Sequence, residues 1–255
     1  MNRRFSGFLL ACLLCAPPAS LADASTPSTI VTWSQWGPYV DEDLPGHGIA
    51  ATLAREAFDG IGKEVTVEFH PWNRTYEEAR TSNHLAAFPY AYNEERNRDF
   101  VFTEPLFSST VRLFSAHDYL GPGTGFEQLH KPSICLPQGY NTEVAENIFE
   151  TTEIIIERPQ EMVNCLLMTK LGRVHFTLVS EKVGGHIIDQ HPEMERDDFR
   201  LMRFSQITPV HIIIPRSLEN ADAIARDLNQ AIREMRNSGR IEEIFRRYDS
   251  APKDS

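Results

Sequence analysis

Strand-like and helix-like segments alternate along this chain, and the alternation starts a second time near residue 120. Apolar residues at every second position, as in Val65, Val67 and Phe69, indicate a strand, whereas a spacing of three or four indicates a helix, as in 49–58. An alternating order of strands and helices is typical of parallel sheets with helices on both faces. The sequence therefore predicts an α/β protein with two lobes.

The predicted elements cover most of the chain. Strands are predicted at 29–33, 65–69, 85–90, 110–116, 133–136, 153–156, 174–179, 199–204 and 210–214. Helices are predicted at 49–58, 73–80, 142–149, 159–170 and 221–237, and a last helix follows Gly239. Pro159 suits the first turn of its helix, and Asn220 is placed to cap the helix that follows it.

The first residues have the features of an export signal. Arg3 and Arg4 precede an apolar core at 5–16, and small residues suited to cleavage follow. Twelve apolar residues are too few to span a bilayer, so residues 1–24 are predicted to be a cleaved signal peptide. A lipoprotein-like motif ends at Cys12, but it lies too early in the apolar core, and we expect no lipidation.

Charge and cysteine content narrow the class of protein further. A net charge of −11 disfavours nucleic acid as a partner. After removal of the signal, Cys135 and Cys165 remain. An oxidising compartment favours a disulfide between them, which would contribute roughly 3–4 kcal/mol, and the alternative is two buried free thiols.

Motifs for cofactors, metals and catalysis are absent from the sequence. The glycine-rich loop at 121–125 has Phe126 where a dinucleotide-binding loop needs glycine, and no P-loop lysine follows. Nine histidines are scattered without metal-ligand spacing, and neither G-x-S-x-G nor H-E-x-x-H occurs. The sequence predicts no cofactor, no metal and no catalytic residue.

Several local patterns occur in a recognisable order. They are Trp36-Gly-Pro-Tyr39 with Gly46-x-Gly48, then Pro71-Trp72-x-Arg74, the segment 86–107, Leu171-Gly-Arg-Val174, and a helix pair ending at Tyr248. Together they resemble the bacterial extracellular solute-binding proteins of the polar amino acid class (family 3) over residues 28–249. That family consists of receptors for ABC importers.

This resemblance implies a type II periplasmic-binding fold, a Venus flytrap of two α/β lobes joined by two hinge-crossing strands. Lobe 1 would comprise 25–113 plus 213–255, and lobe 2 would comprise 117–210. The expected protein is a periplasmic monomer that binds a small-molecule ligand in the cleft, closes over it and delivers it to an inner-membrane ABC permease.

The resemblance also implies a site for an anionic ligand. Arg96 lies at the family's carboxylate-binding arginine, and its planar guanidinium suits a carboxylate. The alternative is a surface ion pair with Glu94 or Glu95.

A second anion site is expected where Tyr140, Asn141 and Thr142 open a helix, through free backbone N–H groups and the Thr142 hydroxyl. The alternative there is a simple turn and helix cap. Aromatic walls are expected from the first lobe, although core packing is the alternative for each ring. The candidate rings are Trp36, Tyr39, Trp72 and Tyr90.

One departure from the family pattern bears on the ligand. Ser180 stands where the family carries an aspartate that binds the ligand's ammonium group, and Glu181 is adjacent. Either Glu181 substitutes, or the ligand has no ammonium group there. The sequence leaves the ligand's identity open. An exported enzyme on the same fold, such as a dehydratase, and a ligand-sensing partner of a membrane receptor are the alternative functions.

Overall fold

The computed structural model describes residues 28–81, 84–119 and 125–250, apart from the side chains of Ser28, Trp72 and Asn73; the predicted signal peptide lies outside these ranges. The strands are β1 (Ser28–Thr32), β2 (Val65–Phe69), β3 (Ala86–Ala91), β4 (Phe100–Phe102), β5 (Phe107–Ser115), β6 (Ser133–Cys135), β7 (Ile155–Glu157), β8 (Phe176–Ser180) and β9 (Arg200–Pro215). The helices are α1 (Ile49–Asp59), α2 (Trp72–Arg80), α3 (Glu94–Asp99), α4 (Glu143–Ile148), α5 (Met162–Lys170), α6 (Glu181–Gln190), α7 (Ala221–Asn237) and α8 (Arg240–Ser250).

The strands form a sheet that runs in the order β2-β1-β3-β9-β5-β8-β6-β7, and β4 also pairs with β9. Strands β2, β1 and β3 are parallel to each other, and so are β8, β6 and β7. The antiparallel pair β5 and β9 joins these two parallel groups. This arrangement confirms the predicted two-lobed α/β fold with two crossing strands.

Strand β9 corrects the sequence prediction. Two strands were expected, at 199–204 and 210–214, but a single strand of 16 residues runs through both. The intervening residues Ser205, Gln206 and Ile207 are exposed. Such a segment has no buried face and therefore no strand periodicity, so the sequence predicted a break between two strands. Here it is held by pairing with β5, from Ser109 opposite Thr208 to Arg112 opposite Ser205.

Three helices also differ from the predictions. Helix α6 was not predicted, because Gly184 and Gly185 in its middle disfavour a helix. Helix α5 begins at Met162, so Pro159 lies before its first turn rather than within it. The Asn220 side chain makes no capping hydrogen bond to α7, contrary to the prediction.

A disulfide joins the end of β6 to α5. Cys135 and Cys165 are bonded and fully buried, which confirms the disulfide over two free thiols. Among the described residues, no helix is both long and apolar enough to cross a lipid bilayer.

The two glycines of α6 offer a matched test of packing. A Cβ at Gly184 would lie 2.6 Å from Phe114 Cζ on β5, whereas a Cβ at Gly185 would lie 2.9 Å from the exposed end of the Arg196 side chain, which has room to move aside. Both substitutions gain about 0.5–1 kcal/mol of helix propensity, but Gly184→Ala also overpacks the core at a cost of about 1–3 kcal/mol. We therefore expect the G184A variant to be less stable than G185A by about 1–3 kcal/mol. Urea unfolding of both variants measures this difference, and equal stabilities would contradict it.

Candidate functional site

A cavity of about 330 Å³ lies against the crossing strands, with walls from both groups of parallel strands. The segments before β5 contribute Trp33, Trp36, Ala91 and Arg96. The segments between β5 and β9 contribute Tyr140, Asn141, Glu143 and Ser180, and the crossing strands contribute Ser109, Thr208 and His211. Its volume is in the range of small-molecule sites.

Helix α3 places Arg96 in the cavity wall. The Asn93 side chain caps this helix by accepting a hydrogen bond from the Arg96 backbone N–H at 2.8 Å. The guanidinium donates to the Ala91 carbonyl at 2.9 Å and to the Gly139 carbonyl at 3.4 Å, and its central carbon lies 5.2 Å from the centre of the Tyr90 ring. Its two carbonyl partners come from opposite sides of the cleft, so Arg96 also holds the two walls together.

Burial of Arg96 bears on the two interpretations of its role. The residue is 8% exposed, and this burial lowers the pKa of the guanidinium because it removes water from the charged form. Glu94, one of the expected surface partners, instead accepts a hydrogen bond from the Tyr92 hydroxyl at 2.9 Å. A buried guanidinium at a cavity favours an anionic ligand, since the ligand's charge offsets the lost hydration.

Two tryptophans form the aromatic wall. Trp36 lines the cavity as predicted, and Trp33 lies beside it with ring centres 5.9 Å apart. Tyr39 and Tyr90 lie behind them, at 4.7 Å from Trp36 and 5.3 Å from Trp33 respectively, so these two tyrosines support the wall rather than line it. Trp33 was not predicted as a cavity residue, because the sequence pattern indicates that it is the last residue of a strand. The side chain of Trp72 lies outside the described residues.

The helix start after Tyr140 differs from the expected anion site. Helix α4 has six residues, and the backbone N–H of Glu143 already donates to Asn141 Oδ1 at 2.9 Å. Glu143 and Glu146 in the first turn also repel an anion. Tyr140 and Asn141 do line the cavity, whereas Thr142 does not.

Ser180 and Glu181 face different surroundings, although they are adjacent. Ser180 is 4% exposed, lines the cavity and neighbours the Tyr39 hydroxyl, whose pKa burial raises. Glu181 lies outside this cavity and pairs with Arg112 at 3.3 Å. Of the two alternatives for this position, substitution of Glu181 for the family's aspartate has no support from this cavity, because successive residues at the end of β8 point in different directions.

Glu143 is a charged residue of the wall that the sequence did not indicate. Its carboxylate accepts a hydrogen bond from Asn141 Nδ2 at 3.1 Å and lies near enough to Arg96 to favour the charged guanidinium. It resembles an ordinary acidic residue in a first helical turn, so its position in the cleft follows only from the fold. The cavity thus has a cation and a carboxylate in its walls.

His211 on β9 predicts a pH dependence of stability. Its Nδ1 lies 2.7 Å from the Thr103 carbonyl oxygen, so Nδ1 donates, and burial lowers the pKa of the ring. Because the folded state favours the neutral ring, its contribution is complete above the unfolded pKa of about 6.5 and is lost as pH falls below it, by at most about 1.4 kcal/mol per pH unit. We expect His211→Gln to flatten the fall in unfolding free energy between pH 7.5 and 5. Exposed His130→Gln is the control, and equal pH profiles for His211→Gln and the wild type would contradict the prediction.

Comparisons with known proteins agree with this fold. A comparison with curated protein sequences found no match. Among solved structures, an ancestral arginine-binding protein bound to arginine is similar with a TM-score of 0.72 and 15% identity over 87% of this chain and 97% of that chain. The arginine-, lysine-, histidine-binding protein ArtJ of Geobacillus stearothermophilus has a TM-score of 0.68 and 15% identity over 89% of this chain and 97% of its own.

A third similar structure is the ancestral amino acid-binding protein AncCDT-1, a precursor of cyclohexadienyl dehydratase. Its TM-score is 0.69 at 14% identity, covering 87% of this chain and 94% of that chain. These three structures share the two-lobed fold. The model of the bacterial extracellular solute-binding proteins, family 3, matches residues 29–251, which is almost the whole chain beyond the predicted signal peptide. The chain therefore belongs to the bacterial extracellular solute-binding proteins, family 3.

Proposed function

We propose that this protein binds an amino acid, or a closely related carboxylate, in the cleft and delivers it to an ABC importer from the periplasm. The observation that carries this proposal is the buried guanidinium of Arg96 in the wall of a small aromatic cavity. A planar guanidinium binds a carboxylate through two parallel hydrogen bonds. The similar solved structures that bind arginine, lysine or histidine support an amino acid, since each of these ligands bears a carboxylate.

The charges of the wall suggest an orientation for the ligand. The carboxylate would bind Arg96, and an ammonium group would bind Glu143, which takes over the role of the aspartate that Ser180 replaces. Trp33 and Trp36 would contact the apolar part of the ligand. The proposed contacts are Arg96, Trp33, Trp36, Tyr140, Asn141, Glu143 and Ser180.

A substitution at Glu143 tests the orientation. We expect Glu143→Gln to weaken an amino acid ligand by about 1.5–3 kcal/mol, since a hydrogen bond to a charged group is lost. The same change should not weaken a carboxylate without an ammonium group, because it removes a negative charge that repels the anion. Glu146→Gln on the same helix lies outside the cavity and serves as the matched control. Isothermal titration calorimetry measures both variants, and an unchanged amino acid affinity would contradict the orientation.

A thermal-shift screen tests the ligand class. The mature protein is unfolded, dialysed and refolded to remove any co-purified ligand, and is then mixed with amino acids, polyamines, dicarboxylates or aromatic acids. A ligand at a hundred times its dissociation constant adds about 2.7 kcal/mol, which raises the melting temperature by roughly 5–10 °C. We expect a shift from amino acids. A shift from polyamines alone, or from none of the compounds, would contradict the proposal.

Two experiments distinguish transport from the alternatives. One similar structure is a binding protein ancestral to a dehydratase, so turnover is tested first: the bound ligand is recovered and its mass measured. A receptor returns the ligand unchanged, whereas a dehydratase returns a product lighter by at least one water. Uptake of labelled ligand by cells lacking this protein then separates an importer, in which uptake falls, from a sensor, in which it does not.

A further inference from the structure

A cluster of potential metal ligands lies at the edge of the sheet, outside the cavity described above. Glu68 near the end of β2, His70 just after it and His84 before β3 each offer a ligand atom, and these atoms all lie within 4.8 Å of one another. His84 Nε2 lies 2.9 Å from Glu68 Oε2, and His70 Nε2 lies 3.6 Å from the same oxygen. None of the three residues lines the proposed ligand cavity.

Two of the separations lie close to the edge length of a tetrahedral zinc site. Zinc bonds to imidazole nitrogen and carboxylate oxygen are about 2.0–2.1 Å long, which places neighbouring ligand atoms about 3.3 Å apart. The two distances to Glu68 lie on either side of that value, and the two histidine nitrogens, which lie within 4.8 Å of each other, would complete the site by approaching to the same separation. Two histidines and a glutamate are also a ligand set that zinc uses in proteins.

Burial and hydrogen bonding provide a second, independent observation. His84 is 7% exposed, and its Nδ1 is a buried atom with no hydrogen-bond partner among the described residues. His70 Nε2 is likewise buried without a hydrogen bond, although carboxylate oxygens of Glu68 and Glu78 lie 3.6 and 3.3 Å away. A buried polar nitrogen without a hydrogen bond is costly, and coordination of His70 Nε2 to a cation shared with these carboxylates would satisfy it. His84 would bind through Nε2, which faces Glu68, so its Nδ1 lies outside the proposed site.

The surroundings have the charge that a divalent cation requires. Glu78 on α2 faces His70, and its other oxygen is held by Arg74. With neutral histidines, the carboxylates of Glu68 and Glu78 outweigh the single charge of Arg74. Glu78 is placed to orient the His70 ring or a metal-bound water, as outer partners of metal sites do.

We propose that Glu68, His70 and His84 bind a divalent transition-metal ion of the zinc class, with water as the fourth ligand. The ion would link the end of β2 to the segment before β3 on the side of the sheet where α2 packs. On binding, the proton between His84 Nε2 and Glu68 would move to His84 Nδ1, so the metal-bound imidazole stays neutral. The site is independent of the proposed amino acid ligand.

Calorimetry with zinc chloride tests the site. The mature protein, prepared without a histidine tag, is treated with a chelator and dialysed before titration. We expect one zinc ion per chain, and we expect His70→Asn, His84→Asn and Glu68→Gln each to weaken binding by at least about 100-fold, since even outer partners cost 10–100-fold. Exposed His130→Asn is the control and should bind zinc as the wild type does.

Two further measurements exclude misleading outcomes. Circular dichroism and the melting temperature of each metal-free variant show whether that variant is folded. If a histidine substitution unfolds the protein, Glu68→Gln still tests the site, because glutamine has nearly the same shape as glutamate. Cobalt chloride added to the wild type should give the strong visible absorption of a tetrahedral site.

Zinc binding that is absent in the wild type, or that is unchanged in folded Glu68→Gln, would overturn the proposal. A weak, octahedral cobalt spectrum would overturn the proposed ligand set.

Discussion

Arg96→Ala should reduce the affinity for a carboxylate-bearing ligand by about 2–5 kcal/mol, as expected for removal of one partner of a buried charge pair. The loss is large because Arg96 is buried in the cavity wall, where a carboxylate has little water to replace the lost guanidinium. The substitution also removes the hydrogen bonds to Ala91 and Gly139, which hold opposite sides of the cleft. Isothermal titration calorimetry with the compound identified by thermal shift measures the effect.

Two matched variants separate the role of the guanidinium from other effects of the substitution. Arg98→Ala removes an exposed arginine from the same helix and should leave binding unchanged. Arg96→Lys keeps the charge but loses the planar fork, so it should recover only part of the affinity. Equal affinities for wild type and Arg96→Ala, with both proteins folded, would show that the anion does not bind at Arg96.

Removal of the disulfide should lower the unfolding free energy by about 3–4 kcal/mol and the melting temperature by roughly 6–16 °C. Cys135 and Cys165 are 30 residues apart in the sequence, so the bond restricts the unfolded chain considerably. We expect Cys135→Ala and Cys165→Ala to have similar effects. The double substitution should be little worse than either single one, because each single substitution already breaks the crosslink.

Reduction of the wild type provides the control for this cycle. Unfolding by urea in the presence of a reductant should match the double variant, apart from the small packing change that the alanines introduce. Single effects that add together in the double variant would show that the cysteines stabilise the fold by packing rather than by the bond between them.

Much of the fold could be predicted from periodicity, and the failures have physical causes. The strand at Val65–Phe69 and the helix from Ile49 match the predictions because their apolar spacing reflects burial on one face. The centre of β9 around Ile207 has no such face, since pairing with β5 rather than burial holds it. Helix α6 breaks the propensity rules at Gly184, where the close approach of Phe114 leaves no room for a side chain.

The candidate site could be predicted only in part. Arg96, Trp36 and Ser180 were identified from the family resemblance, and all three line the cavity. Glu143 and Trp33 also line the cavity. They do so because the fold orients their side chains towards it, and the local sequence does not reveal this orientation.

The proposed metal ligands were missed for a related reason. Glu68 and His84 are 16 positions apart in the sequence, and pairing of β2 and β3 with β1 brings them together. Sequence motifs for metal sites search for ligands a few residues apart in one turn or one helix, so they do not detect ligands that only strand pairing brings together.

The paired strands β5 and β9 also govern how the cleft can move. They form a ladder of hydrogen bonds from Phe107 opposite Val210 to Arg112 opposite Ser205. Because the two strands are hydrogen-bonded along this length, they bend and twist together as one ribbon rather than as two independent connections. We therefore expect opening of the cleft to be confined to rotation about one axis. In the proposed binding cycle, Arg96 and the wall opposite it would then return to the same alignment each time, and the energy of twisting would help to set how long a bound solute stays.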